Sequence, residues 1–104
     1  MRETDYAGAL KDIADTSTPL VVDLHAEWCG YCKRTRPHLE RLSEERAGAL
    51  RIVGIDTDED PDAFSGFQVG TLPAIILFKD GKEVSRRGSG DYEQLTEWLA
   101  EHGL

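Results

Sequence analysis

Two cysteines, one methionine, four prolines and 8% aromatic residues are all that this 104-residue chain offers of those types. Two cysteines are too few for a scaffold stapled by several disulfides, so folding has to rest on an apolar core. Positive charge is short as well: 12 Lys and Arg stand against 20 Asp and Glu, a net charge of −8. Nucleic-acid binding depends on concentrated positive charge, and this balance speaks against it. No apolar run approaches the roughly 20 residues that a membrane-spanning helix needs. The opening residues, MRETDYAGAL, carry no apolar signal segment, so a cytoplasmic location is the expectation. A mature exported form given a new Met1 would look the same. What is present is 39% hydrophobic residues, enough for one modest core, and runs such as Ala74-Ile75-Ile76-Leu77-Phe78 that a disordered chain lacks. The length suits one domain over 1–104, and no linker, repeat or low-complexity tract divides it.

Residues 4–15 read as a first helix, capped by Thr4 or Asp5, with Tyr6, Leu10, Ile13 and Ala14 at helical spacing. Thr16 to Pro19 break it, and Leu20 to Leu24 form a short buried strand. A long helical pattern runs from Gly30 to about Ala47 with Pro37 inside it, where the missing amide predicts a kink. Leu50 to Asp56 is a second strand, followed by an acidic stretch (56–62) and a short helix near 61–65. Ala74 to Lys79 and Lys82 to Arg86 are strands joined by an Asp80-Gly81 hairpin turn, and Asp91 caps a last helix carrying Leu95, Trp98 and Leu99. The order α-β-α-β-α-β-β-α implies a three-layer α/β domain, a mixed sheet between two layers of helices.

Cys29-Gly30-Tyr31-Cys32 falls where the first strand passes into the long helix. A C-x-x-C pair in such a setting is a redox signal. If Cys29 caps the helix, its sulfur faces the free amides of the first turn and the positive end of the helix dipole, which favour the thiolate. Thiols so placed titrate at roughly 3.5–7.5 rather than about 8.5. Cys32 lies one turn on and can reach back to Cys29. An exposed nucleophile beside a shielded resolving thiol is what two-step thiol–disulfide exchange requires. A static disulfide or an inert pair is the bland alternative. Zinc would need two more ligands, and only His25, His38 and His102 remain, without a second C-x-x-C or an H-x-x-x-H, so no metal is expected.

Ala26-Glu27-Trp28-Cys29-Gly30-Tyr31-Cys32-Lys33 closely resembles the active-site segment of the thioredoxin family. The resemblance extends to Asp23, Pro37, Leu72-Pro73 and Phe78-Lys79-Asp80-Gly81, and covers about residues 18–102. It implies a thioredoxin-like fold and protein-disulfide reduction, with no bound cofactor. The electrons would come from NADPH through a flavin-dependent thioredoxin reductase, and the partners would be disulfide-containing proteins met by a monomer. Cys29 would attack, Cys32 would resolve, and Pro73 would be the cis-proline that faces them. Asp23 would be the buried acid that exchanges a proton with Cys32. Trp28, Gly30, Tyr31 and Leu72 would meet the substrate. Trp28 as a core tryptophan, Pro73 as an ordinary trans proline and Asp23 as an exposed strand-edge acid are the alternatives.

Several features depart from that pattern. Tyr31 stands where thioredoxins typically carry proline, and its amide, unlike proline, can point at the Cys29 sulfur, which predicts a less reducing pair. The lysine that typically lies near the buried acid aligns with Ile52. Its loss raises the pKa of Asp23 further, while His25, on the same strand face, is either a partial substitute or simply a core or surface histidine. The segment before the first strand is short, so the edge strand is expected to be missing or vestigial, giving four strands or five. Lys33, Arg34, Arg36 and Arg41 cluster on the helix behind Cys29, either as a charge device or as a solvated face. Asp56, Asp58 and Asp60 resemble the start of a calcium loop, but Pro61 and Phe67 occupy the positions that need glycine and glutamate. Tyr31 also keeps open an oxidase or isomerase outside the cytoplasm, and loss of function within the fold would leave a binding module. A glutaredoxin fits Trp28 and the Gly30-Tyr31 pair less well.

Overall fold

Asp5 starts the first helix: its carboxylate accepts from the Gly8 amide at 2.7 Å, satisfying one of the free donors of the first turn. Helix α1 then runs Tyr6–Ala14. The computed structural model describes all 104 residues. Strand β2 is Leu20–His25, helix α2 Gly30–Glu45, strand β3 Arg51–Asp56 and helix α3 Pro61–Gly66. Strands β4 (Ala74–Lys79) and β5 (Lys82–Arg87) and helix α4 (Tyr92–Glu101) complete the chain. The β4–β5 turn has both Asp80 and Gly81 at positive φ (54° and 78°), the handedness that lets a two-residue hairpin match the strand twist. Helix α2 continues through Pro37 and ends at Glu45, two residues short of the expected Ala47.

Of the alternatives for the edge strand, missing or vestigial, the structure has the second, and the sheet has five strands. Arg2–Thr4 form strand β1, which pairs in parallel with Val53–Ile55 of β3 and makes a fifth strand. Three residues, two of them charged, give no alternation to read; the exposed edge of β3 decides their conformation. The sheet order is β1-β3-β2-β4-β5, parallel from β1 to β2 and antiparallel from β2 to β5.

Strand alternation divides the core. Val22, Leu24, Val53, Ile55, Ile76 and Phe78 point to one face and pack beneath α1 and α3 with Ala9, Ala63 and Phe67. Val21, Ile52, Ile75 and Leu77 point to the other, against Leu39 and Leu42 of α2 and Leu95, Trp98 and Leu99 of α4. Every residue of β2 is buried, as a strand covered by helices on both faces must be. Asp23 and His25 follow Val21 at period two, so both face α2. That periodicity delivers a carboxyl into an apolar layer directly behind the start of α2.

Candidate active site

Cys29 is the N-cap of α2, with extended backbone, and its Sγ accepts from the Cys32 amide at 3.2 Å. The amide that reaches the sulfur is therefore Cys32's, at the third helical position, and not Tyr31's at the second, which corrects the geometry expected for Tyr31. The two cysteines form a disulfide across a Cα–Cα distance of 5.2 Å. Both are 5% exposed in this oxidised state, so the expected contrast between an open and a shielded sulfur is not expressed in residue exposure. Ala26 and half-buried Leu72 pack against the pair. The Leu72–Pro73 peptide bond is cis, and Pro73 directly precedes β4, whose Ala74 lies opposite Leu24 of β2.

Two aromatic side chains stand exposed at the helix start. Trp28 is 71% and Tyr31 62% exposed, so Trp28 belongs to the surface beside the cysteines and not to the core. Arg34 stacks over the Tyr31 ring at 4.5 Å. A Cβ on Gly30 would find only the flexible end of Arg34 nearby, at 3.7 Å, so backbone crowding does not require glycine there. Of the other basic residues of α2, Arg36 pairs with Glu3 and Glu40 and Arg41 with Glu45, while Lys33 makes no ion pair. Arg36 and Arg41 thus each have a carboxylate as counter-ion. Asp56, the first of the acidic run, accepts from the amides of Asp58 and Glu59, making a turn out of the would-be calcium loop.

Asp23 is 2% exposed. Burial pushes its carboxyl up from 3.8 to about 6; the charges of His25 and Arg36 pull it down and that of Glu3 pushes it up. The strand register corrects the expectation about the missing lysine. Asp23 lies beside Gly54, not Ile52, which pairs with Val21 and belongs to the apolar layer. Gly54 leaves open the space that a side chain would fill, and the Glu3 carboxylate from β1 occupies it. Glu3 accepts from Arg36 at 3.0 Å and meets His25 Nε2 at 2.6 Å. A polar cavity of about 680 Å³ opens here, with Glu3, His25, Arg36 and Cys32 in its wall.

Neither Glu3 nor Gly54 stood out in the sequence. A glycine within an apolar strand is a known mark of close approach by another group and was the one signal on offer. Glu3, in a segment with no periodicity, had none.

A thioredoxin family model matches residues 3–101 of this chain. The chain belongs to the thioredoxin family. It is 43% identical over 75 residues to a thioredoxin of Mycobacterium tuberculosis (strain ATCC 25618 / H37Rv), a match covering 72% of this chain and 65% of that protein. The chain thus spans just under two thirds of the length of that relative. It is 38% identical over 89 residues to the thioredoxin of Acidithiobacillus ferridurans, covering 85% of this chain and 82% of that one. A crystal structure of Fasciola hepatica thioredoxin superposes with a TM-score of 0.86 at 30% identity, over 98% of this chain and 99% of the other. The fold is the thioredoxin fold, a five-stranded mixed sheet with four flanking helices.

Proposed function

We propose that this thioredoxin-family protein, acting as one domain over 1–104, is a thiol–disulfide oxidoreductase that reduces disulfides in protein substrates through the Cys29/Cys32 pair. The observation that carries the reading is the placement of Cys29 Sγ at the first turn of α2, where it accepts the Cys32 amide. The dipole and free amides there stabilise a thiolate.

In the reduced protein, the Cys29 thiolate attacks one sulfur of the substrate disulfide. A Cys29–substrate bond forms, and the second substrate sulfur leaves with the electron pair and takes a proton from water. Cys32 then gives its proton to the Asp23 carboxylate and attacks Cys29 Sγ. The Cys29–Cys32 bond forms and the substrate leaves as a thiolate, so the substrate gains two electrons and the protein loses two. A carboxyl titrating at about 6 exchanges that proton readily near neutrality. Exposed Trp28 and Tyr31, with Gly30, Leu72 and the cis-Pro73, form the surface on which the substrate backbone rests. No bound cofactor takes part. The electrons are supplied by NADPH through a thioredoxin reductase, the protein works as a monomer, and its place is the cytoplasm. Tyr31, in place of proline, makes the pair less reducing than a typical thioredoxin.

The same Tyr31 favours a second reading, an oxidase or isomerase acting outside the cytoplasm. A binding module is disfavoured by the intact pair beside Pro73. Insulin reduction by dithiothreitol, with wild type beside Cys29→Ser, tests the proposal. Precipitation accelerated by wild type and lost in the variant is expected, and no acceleration by the wild type sinks the reductase reading. Turnover with NADPH and thioredoxin reductase then separates reductase from oxidase.

A further inference from the structure

Asp23, Gly54 and Glu3 occupy one row across three neighbouring strands, β2, β3 and β1. Because parallel partners in register share a face, all three look toward α2. On that face a Cβ at position 54 would collide with the Glu3 carboxylate and come within 3.2 Å of His25 Nε2. Glycine is therefore the residue that lets Glu3 lie flat over β3. From there one Glu3 oxygen meets His25 Nε2 at 2.6 Å and the other accepts from Arg36 Nη2 at 3.0 Å. His25 is 8% exposed, two residues from Asp23 on its face, while Arg36 reaches in from α2, one turn beyond Cys32. The cavity that these three side chains line also touches Cys32 and opens to solvent.

Strand β1 contributes Glu3 to the cavity wall, β2 His25, α2 Cys32, Lys33 and Arg36, and β3 Asp56, and the carboxylates of Asp5, Glu27, Glu59 and Asp60 complete its charged lining. Strand β4 presents apolar Ile75 opposite Asp23, and Arg87 of β5 stands one strand beyond it in the row. No charge projects from β3 beside Asp23, since that position is Gly54.

We propose that Glu3, laid over Gly54 between Arg36 and His25, is a positioning residue of the redox centre that, with those two side chains, governs proton exchange between Cys32, Asp23 and solvent. Glu3 anchors Arg36 and His25 at the inner wall of the cavity and tempers the positive charge of Arg36. The proton that Asp23 takes when Cys32 attacks leaves by the same polar wall. The inference rests on the role given to Asp23 above.

The test is the carboxyl carbon shift of Asp23, followed by NMR against pH in the oxidised protein, where the cysteines do not titrate. Glu3→Gln removes a like charge and should lower the midpoint by about half a pH unit, and Arg36→Met removes an opposite charge and should raise it by about as much. Arg36→Lys should return it toward wild type. A purely structural role for these side chains would not move the midpoint in opposite directions. A midpoint that stays in place in either variant, moves the same way in both, or is not restored by lysine overturns the proposal. Fluorescence-monitored unfolding confirms that each variant is folded at the start of the titration, and Glu3→Ala, which also removes the like charge, replaces Glu3→Gln if that variant is not, with the same lowering expected. The titration needs no turnover. A failed insulin assay with opposite shifts rejects the reductase reading alone, and an active protein with unmoved shifts rejects the role of Glu3 alone.

Discussion

At position 31, tyrosine contributes a backbone N–H to the first turn of α2, where proline would contribute none. The bond to Cys29 Sγ comes from the Cys32 amide, so the Tyr31 amide acts as one more dipole aimed at the helix start and not as the direct donor. Removing it should weaken the thiolate relative to the disulfide. Tyr31→Pro is expected to lower the reduction potential by about 30 mV, equivalent to ~1.4 kcal/mol for a two-electron couple. Equilibration with glutathione measures it, and a potential that is unchanged or higher rejects the argument. The cysteines were legible as a local pattern because they sit within a short, contiguous motif, and Trp28 and Pro73 were legible only through the family resemblance of the segments that hold them. Glu3 was not, since its importance comes from lying over Gly54, more than fifty residues away along the chain.

Helix ends were the most readable elements. Asp5 and Asp91 both cap as expected, and Asp91 forms a reciprocal box in which its carboxylate accepts from the Gln94 amide and its own amide donates to Gln94 Oε1, each at 2.9 Å. Helix α4 covers the α2-side core with Leu95, Trp98 and Leu99, and Trp98 Nε1 donates to Ser85 of β5 at 2.9 Å. Asp91→Ala should cost about 1 kcal/mol, whereas Asp91→Ser, which keeps an acceptor, should cost little. Urea unfolding of both variants distinguishes loss of the cap from loss of charge: equal destabilisation would mean that charge dominates. Strand β1 was the least readable element. Its pairing is imposed by β3, and its sequence offers neither alternation nor an apolar run. The placing of the missing lysine at Ile52 failed for a related reason. Sequence alone does not fix which residue of β3 lies beside Asp23, and a shift of two positions still preserves the face.

For the whole molecule, the buried carboxyl links stability to pH. Asp23 holds its proton to about pH 6 when folded, against an ordinary value of 3.8. Between roughly pH 4 and 6 the folded state binds the extra proton, so stability falls as pH rises through that window. Above it the folded protein carries the full cost of a buried charge, about 3 kcal/mol at ~1.4 kcal/mol per pH unit. Asp23→Asn, neutral at every pH, should therefore gain stability by up to about that amount at pH 8 and very little at pH 4. Urea midpoints at the two pH values check this, and a gain equal at both would show that shape, not charge, is responsible.

Local chemistry determined much of this protein. Period-two and helical spacing set the strand and helix order, glycine and aspartate set the hairpin and caps, and the C-x-x-C at a strand-to-helix junction set the site. These signals are written within a few residues of where they act. Tertiary structure alone decided that Gly54 faces Asp23, that β1 closes the sheet edge, and that Glu3 binds Arg36 and His25 together. Those facts follow from strand register and from the volume that glycine leaves empty, and both exist only once distant segments have packed against one another.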